Sequence, residues 1–250
     1  MSWLFKIFLS LCLLACPVLG FTVESAHSIL EKVDQQMYLP ASKFKMRMLI
    51  TYDKDDTREK QFEGYAQGKD FFFIRFLAPA RDKETRYLKR ENVMWLYLPK
   101  VDKVIQIKGH MLRQGMMGSD FSYEDASENS SLLKDYEPRL LEDELIAEKP
   151  AYVLELIAKT PKVTYYRRKL YIDKGSFMPL KSELYAKSGK LLKVATTGDI
   201  RKLDDRYYPF RQTMRNALKK NTLTVVETLE LEIADEVNDS VFELRHLKRQ

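Results

Sequence analysis

Cysteine and histidine are scarce in this sequence of 250 residues, which contains two cysteines and three histidines. Both cysteines, Cys12 and Cys16, lie near the N-terminus, so the rest of the chain cannot form a disulfide and must be held by its core. The histidines are far apart at positions 27, 110 and 246. This composition argues against a zinc site of cysteines and histidines, and we predict no metal and no cofactor.

Long apolar runs are absent after the N-terminus. Residues 7–15 form an apolar run behind Lys6, but this run is too short to span a bilayer and ends before Pro17. A short positive segment, an apolar core and a break are together typical of a secretory signal peptide. We therefore predict an exported protein.

The processing of this segment has two interpretations. Small and aliphatic residues up to Gly20 predict a signal peptide of residues 1–20 and a periplasmic mature protein formed by a single domain of residues 21–250. Residues 13–16 instead resemble a lipobox, which would leave the protein lipid-anchored through Cys16. Both interpretations place the protein in the cell envelope.

Charge of one sign is not in large excess. The chain has 42 lysines and arginines against 36 aspartates and glutamates, a formal net charge of +6. A modest positive excess suits peripheral contact with an anionic membrane surface or a polar lipid headgroup. Because an exported protein rarely meets nucleic acid, we predict no nucleic-acid partner.

The sequence does contain a clear change of hydrophobic period. From Thr22, a candidate N-cap, apolar residues recur at helical spacing up to Met37, and Pro40 marks the end of the helix. Residues 44–50 then alternate between apolar and polar side chains, which is typical of a strand with one buried face. One amphipathic helix is thus followed by β structure.

Roughly ten or eleven strands with hairpin-like spacing follow this helix. Residues 71–77 are apolar on both faces, which predicts a central strand covered on both sides. Residues 108–138 lose the alternation and predict a long loop, and loops of that length are often functional. The predicted fold class is mainly β with one or two helices, an antiparallel sheet strongly curled around a helix.

Two stretches resemble a known family. Residues 94–107, which begin Met94-Trp95-Leu96-Tyr97, are similar to a strand-turn-strand of bacterial outer-membrane lipoprotein-sorting proteins. The order of elements along the chain agrees with that family as well. Its most recognisable motif is matched by Met117 and the residues that follow, namely Gly118, Ser119, Asp120, Phe121, Ser122, Tyr123, Glu124 and Asp125.

This resemblance implies the fold of the periplasmic lipoprotein carrier, an unclosed antiparallel β half-barrel curled around a helix. It implies an apolar groove whose ligand is a lipid or the acyl chains of a lipoprotein. The branch of the family that the sequence resembles also implies an inner-membrane transporter of the resistance-nodulation-division (RND) type as a partner.

Aromatic and methionine side chains are the candidate ligand-binding residues. Both types line apolar sites, and methionine adapts to ligands of different shape. In the simpler interpretation, each of these side chains only fills the core. The candidates for the apolar groove are Met46, Met48, Phe71, Phe73, Trp95, Tyr97, Met116 and Met117.

Arginines interrupt two of the apolar strands. Arg47 and Arg75 are predicted either to extend to the rim of the groove or to meet a lipid phosphate at its mouth. The basic and aromatic run at residues 165–169 has two interpretations, a headgroup contact or an exposed edge strand kept soluble by charge, and we favour the second.

The motif also invites a catalytic or metal interpretation. Ser119 lacks the glycine two positions later that a nucleophile elbow requires, so we predict no catalytic residue. Asp120, Glu124 and Asp125 do not have the spacing of a calcium loop. Instead, Ser119 or Asp120 is predicted to cap a short helix, while Glu124 and Asp125 pair with nearby cations.

Three functions follow from these patterns. The leading hypothesis is a non-enzymatic periplasmic carrier that holds a lipid or lipoprotein acyl chains in an apolar groove for transfer toward the outer membrane. The second is an accessory protein with a fully packed interior that bridges an RND-type transporter to the envelope. The third, disfavoured by the motif, is a hydrolase that uses Ser119.

Overall fold

The computed structural model describes residues 24–38, 40–53, 56–127, 131–161 and 163–248. The predicted signal peptide, the lipobox cysteine Cys16 and the predicted N-cap Thr22 lie outside the described residues. None of the described helices is long and apolar enough to cross a membrane.

The described part of the chain is built mainly from fourteen strands. They are β1 (Ser42–Asp53), β2 (Asp56–Gln67), β3 (Phe71–Ala78), β4 (Arg86–Arg90), β5 (Val93–Leu98), β6 (Lys103–Ile107), β7 (Tyr136–Leu140), β8 (Glu144–Ile146), β9 (Lys149–Ala158), β10 (Arg167–Asp173), β11 (Pro179–Tyr185), β12 (Leu191–Leu203), β13 (Arg206–Asn216) and β14 (Leu223–Ile233). The helices are α1 (Ala26–Met37), α2 (Tyr123–Ser127) and α3 (Leu132–Asp135), and short 3₁₀ turns cover Pro99–Val101, Gly109–Arg113, Met116–Gly118, Asp239–Phe242 and Leu244–Lys248.

All fourteen strands belong to one antiparallel sheet. The order across it is β6-β5-β4-β3-β2-β1-β14-β13-β12-β11-β10-β9-β7, with β8 paired to β9. The edge strands β6 and β7 do not pair with each other within the described residues, so the sheet is unclosed. The predicted fold class, a mainly β, unclosed antiparallel half-barrel with a covering helix, is confirmed.

The strand count was predicted too low. The structure adds β7 and β8, which the sequence pattern left in or beside the long loop. Strand β7 carries Pro138, and β8 has only three residues, so neither shows a clear apolar alternation. Residues 165–169 are likewise not an edge strand, because β10 lies between β9 and β11.

Helix α1 starts later than predicted. Its N-cap is Ser25, whose hydroxyl accepts a hydrogen bond from the Ser28 amide at 3.1 Å. Ile29, Leu30 and Val33 lie on one face at helical spacing and are fully buried. They form a core cluster with residues of α3, β7, β9 and β10.

Strand β3 is covered on both faces, as the sequence predicts. Ile74 and Phe76 pack into the core on the concave face. Phe73 lies on the outer face, where Phe242 and Leu247 of the C-terminal segment (residues 237–248) cover it. A ring-centroid distance of 5.6 Å between Phe71 and Phe242 shows how closely this segment packs.

Candidate functional site

A cavity of about 560 Å³ lies on the concave face of the sheet. Its walls come from β1, β2, β3, β10, β13 and β14, from α1 and α3, and from the loop that carries the sequence motif. Met37 and Tyr38 line the cavity and are exposed, so it opens to solvent beside the C-terminal end of α1. Its volume is within the range of sites that hold small ligands.

The apolar wall follows from the alternation of β1. Phe44, Met46 and Met48 are spaced two residues apart and all line the cavity. Strand β14, the hydrogen-bonded neighbour of β1, adds Val226 and Leu231. Two adjacent strands therefore present a continuous apolar surface in which two methionines can adjust to a ligand.

The motif loop, defined here as residues 108–127, forms the opposite wall. Met116, Phe121 and Ala126 line the cavity from this loop. The loop is not one continuous helix but a series of 3₁₀ turns that ends in α2. Gly118 has a φ of +83°, and a Cβ added there would lie 2.6 Å from the Tyr52 hydroxyl oxygen, so this position favours glycine.

One end of the motif loop is held by Asp120. Its carboxylate accepts hydrogen bonds from the hydroxyls of Thr222 at 2.9 Å and Thr224 at 3.1 Å. Its backbone amide donates to the Thr224 hydroxyl at 2.9 Å. Asp120 is almost fully buried, and these bonds to the start of β14 satisfy it.

The other end is held by Asp125. Its carboxylate accepts from the Ser122 amide at 2.6 Å, and the Ser122 hydroxyl in turn accepts from the Asp125 amide at 3.3 Å. This reciprocal pair caps α2, so the cap is Ser122 rather than the predicted Ser119 or Asp120. Asp125 also forms an ion pair with Lys193 of β12, and both side chains are largely buried.

A polar wall lies between the motif loop and α1. Arg168 lines the cavity, donates to the Tyr136 hydroxyl at 2.9 Å and lies over the Tyr136 ring at 4.9 Å. Asp34 of α1 accepts from the amides of Leu132 at 2.9 Å and Leu133 at 3.0 Å, which caps α3. The cavity therefore has one extended apolar side and a smaller polar side.

The eight predicted groove residues divide between the two faces of the sheet. Phe73 lies on the outer face and contributes to the cluster that includes Trp95 and Tyr97. Met117 packs beside the cavity against the concave core, at a φ of 53°. Met46, Met48 and Met116 line the cavity, and Phe71 borders it at the start of β3 although its ring packs against Phe242 in the outer-face cluster.

The two predicted rim arginines do not line the cavity. Arg47 is paired with Glu227, and Arg75 with Glu63, each across neighbouring strands. The hydrogen-bonded carboxylates raise the pKa of both guanidinium groups. Arg47 alternates with the cavity-lining Met46 and Met48, so it points to the outer face.

Ser119 and Asp120 are used in fixing the motif loop. The Ser119 hydroxyl donates to the Phe121 carbonyl at 3.1 Å, and the side chain is buried. Within the described residues there is no group of three or more histidine, cysteine, aspartate or glutamate side chains arranged to hold a metal ion.

Several site residues were missed by the sequence reasoning. Phe44 alternates in phase with Met46 and Met48, so the strand pattern contained the signal for it. Lys193 interrupts the apolar start of β12, between Leu192 and Val194, which is a signal for a buried partner. Phe62 and Tyr208 also line the cavity, but their apolar character alone does not tell a cavity wall from a filled core.

Comparisons with known proteins show what this chain is similar to. A family model described as that of an uncharacterized protein matches residues 68–249. No curated protein matches the sequence.

Three solved structures have the same fold. An outer membrane lipoprotein-sorting protein domain from Vibrio parahaemolyticus is 23% identical, with 90% of this chain and 98% of that chain covered and a TM-score of 0.79. A DUF1329 family protein from Desulfovibrio piger is 24% identical, with 89% and 98% covered and a TM-score of 0.82. A LolA superfamily protein from Nitrosomonas europaea is 23% identical, with 90% and 100% covered and a TM-score of 0.74.

Proposed function

This chain belongs to the family whose model matches residues 68–249, and from that premise we propose that it is a non-enzymatic carrier of the periplasm. Its ligand is a lipid or the acyl chains of a lipoprotein, which it holds in the concave cavity for transfer toward the outer membrane. The mature protein is a single domain of residues 21–250.

The observation that carries this proposal is the cavity itself. Its apolar wall is continuous from Phe44 through Met48 and is faced by Phe121 of the motif loop. A packed accessory protein has no need for such a space, so the cavity favours a carrier over a protein that only bridges a transporter. An RND-type transporter fits the carrier as the partner that delivers or receives the ligand.

The expected free energy of binding an acyl chain in the cavity suits a carrier. Each buried methylene contributes about 0.8 kcal/mol, so ten methylenes give about 8 kcal/mol before the costs of ordering the ligand are subtracted. The net affinity is then strong enough to retain an acyl chain and weak enough to release it. The half-buried Met46 and the loop residue Met116 allow chains of different length to be accommodated.

The proposal is tested by native mass spectrometry of gently purified mature protein, with lipid extraction in parallel. We expect a bound lipid, fatty acid or acylated peptide. Met46→Trp, which fills the cavity, should abolish that adduct. Leu49→Trp, on the same strand but on the opposite face, is the matched control and should retain it.

Two outcomes would contradict the proposal. One is a protein that stays empty when lipid or lipopeptide is added, and the other is equal lipid retention by the two tryptophan variants. The mass of the mature protein also distinguishes cleavage after Gly20 from lipid attachment at Cys16.

The absence of catalysis is tested separately. Because the Ser119 hydroxyl is buried and bonded to a backbone carbonyl, Ser119→Ala should leave any ester hydrolysis by the purified protein unchanged. A loss of esterase activity in this variant would instead support the hydrolase.

A further inference from the structure

Two hairpin tips lie side by side at one end of the sheet. Residues 186–190 connect β11 to β12, and residues 217–222 connect β13 to β14. The Ala217 amide donates to the Leu192 carbonyl at 2.8 Å, so the second tip is bonded to the strand that leaves the first. We call residues 186–192 and 215–223 together the paired tips.

The paired tips carry only positive charge. Neither segment contains an aspartate or glutamate. Their five exposed cations are Lys187, Lys190, Arg215, Lys219 and Lys220.

These five cations differ from two cations on the outer face of the sheet. Among the described residues, no carboxylate lies within ion-pair distance of any of the five. On the outer face, by contrast, Lys45 is paired with Glu230 and Arg211 with Glu227. Asp53, on the neighbouring β1–β2 hairpin, accepts a hydrogen bond from the Asn221 amide group.

Large apolar side chains are exposed within the same surface. Leu218 is 54% exposed and Leu223 is 39% exposed. Leu191 and Leu192 are half-buried beside them. Exposed leucines at and beside a hairpin tip, next to cations that form no ion pair within the described residues, combine an apolar element that can enter a lipid surface with charges that meet its headgroups.

We propose that the paired tips bind the surface of an anionic phospholipid bilayer. Leu218 and Leu223 enter the headgroup region, and the five cations contact lipid phosphates. This inference stands on the surface alone and does not depend on what occupies the cavity.

The docked orientation brings the motif loop close to the membrane. Thr222 belongs to the paired tips, and its hydroxyl donates to Asp120 of the motif loop at 2.9 Å. Phe121, the next residue, lines the cavity. A bilayer bound at the tips therefore lies against the same end of the molecule as the loop that forms one cavity wall.

The test is co-sedimentation of the mature protein with vesicles. We expect binding to vesicles of mixed phosphatidylglycerol and phosphatidylcholine, little binding to phosphatidylcholine alone, and release as salt is added. Each lysine near an anionic surface changes the partition coefficient about fivefold, so Lys219→Glu together with Lys220→Glu should weaken binding at least about 25-fold.

The matched control is Lys100→Glu together with Lys103→Glu at the β5–β6 turn. That turn also carries two exposed lysines and an exposed valine, Val101, but it includes Asp102. The control should bind anionic vesicles nearly as well as the unaltered protein, because it lies at the far edge of the sheet.

A second readout does not rely on a loss of binding. In Leu218→Trp, the new indole should shift its fluorescence emission to the blue when anionic vesicles are added. Failure of the unaltered protein to bind anionic vesicles, equal loss in the two charge-reversal variants, or no shift at position 218 would each overturn the proposal. Native mass spectrometry of the Lys219→Glu, Lys220→Glu variant still measures the lipid bound in the cavity. A failure of membrane binding can therefore be told apart from a failure of the carrier function.

Discussion

The concave face of the sheet is covered in two different ways, and the cavity lies mostly beneath one of them. Over β7, β9 and β10 the cover is α1, whose Ile29, Leu30 and Val33 have no exposed surface. Over β1 to β6 the cover is the motif loop, which contributes separate side chains such as Met116 and Tyr123. The cavity walls come mostly from this second region.

The difference follows from the geometry of the covering segment. A helix repeats its apolar side chains at a regular spacing and can fill the space above a sheet continuously. The motif loop changes direction at Gly115 and Gly118 and cannot present such a stripe. It is instead fixed by polar contacts of Asp120 and Asp125. One region thus supplies tight packing, and the other supplies space for a ligand.

The largest effect is expected from breaking the polar attachment of the loop. Asp125→Ala removes the partner of Lys193 and leaves a buried ammonium group without its carboxylate. The free energy of unfolding should fall by about 3–5 kcal/mol. Urea denaturation followed by circular dichroism measures this change.

The control for that variant is Asp143→Ala, which breaks the more exposed ion pair with Lys174. Its effect on the free energy of unfolding should stay within about 1 kcal/mol. If the two variants lose the same stability, the Asp125–Lys193 pair does not hold the loop in the way described.

The next prediction compares a substitution under α1 with one at the cavity wall. Leu156→Ala, under α1, should lower the free energy of unfolding by about 2–5 kcal/mol and leave lipid retention intact, because it opens a void in a tightly packed core. Met46→Ala should cost less stability, because its half-buried side chain already borders the cavity. Denaturation and native mass spectrometry of both variants test this, and equal losses of stability would contradict the contrast.

A smaller effect of opposite sign is expected from filling the cavity. Ala126 of α2 lines it, so Ala126→Leu adds apolar volume where there is space. This variant should gain about 1 kcal/mol in unfolding free energy and retain less lipid. A loss of stability would show that the space next to Ala126 is closed to a larger side chain.

The last effect concerns pH. Burial lowers the pKa of Lys89, on the concave face of β4, from 10.5 to about 8. Between these two values the unfolded chain binds more protons at this position than the folded protein, so stability from this group rises as the pH goes from about 8 to about 10.5. Unfolding curves across that window should show the rise in the unaltered protein and not in Lys89→Met; parallel curves would contradict it.

Much of the fold could be predicted from the sequence because local periodicity records which residues share a face. The alternation of Met46 and Met48 gave one face of β1, and the helical spacing up to Met37 gave α1. Strand β7 was missed because Pro138 and its charged neighbours hide the pattern. Periodicity is a local property, and it predicts strands only where one face is clearly apolar.

The cavity wall was harder to predict, since periodicity does not tell which face is concave. Phe73, Trp95 and Tyr97 are as apolar as the true cavity residues, but they pack under the C-terminal segment. That segment is distant in sequence, and the sequences of the strands do not indicate that it covers them. The predicted rim position of Arg47 was wrong for a related reason. Its partner is Glu227 on β14.

The order of strands also has a consequence for how the protein reaches this state. From β1 to β6, and again from β9 to β14, neighbours in the sheet are neighbours in the chain, whereas β1 pairs with β14 and places Ser42 beside Ile233. The hairpins can form locally and early, but the pairing that joins them must wait until the last strand has been synthesised. Because Met46 and Val226 lie on opposite sides of that junction and both line the cavity, the cavity is the last part of the molecule to form. We expect pulse-labelled hydrogen exchange during refolding to find the amides between β1 and β14 protected last, and early protection there would refute this order.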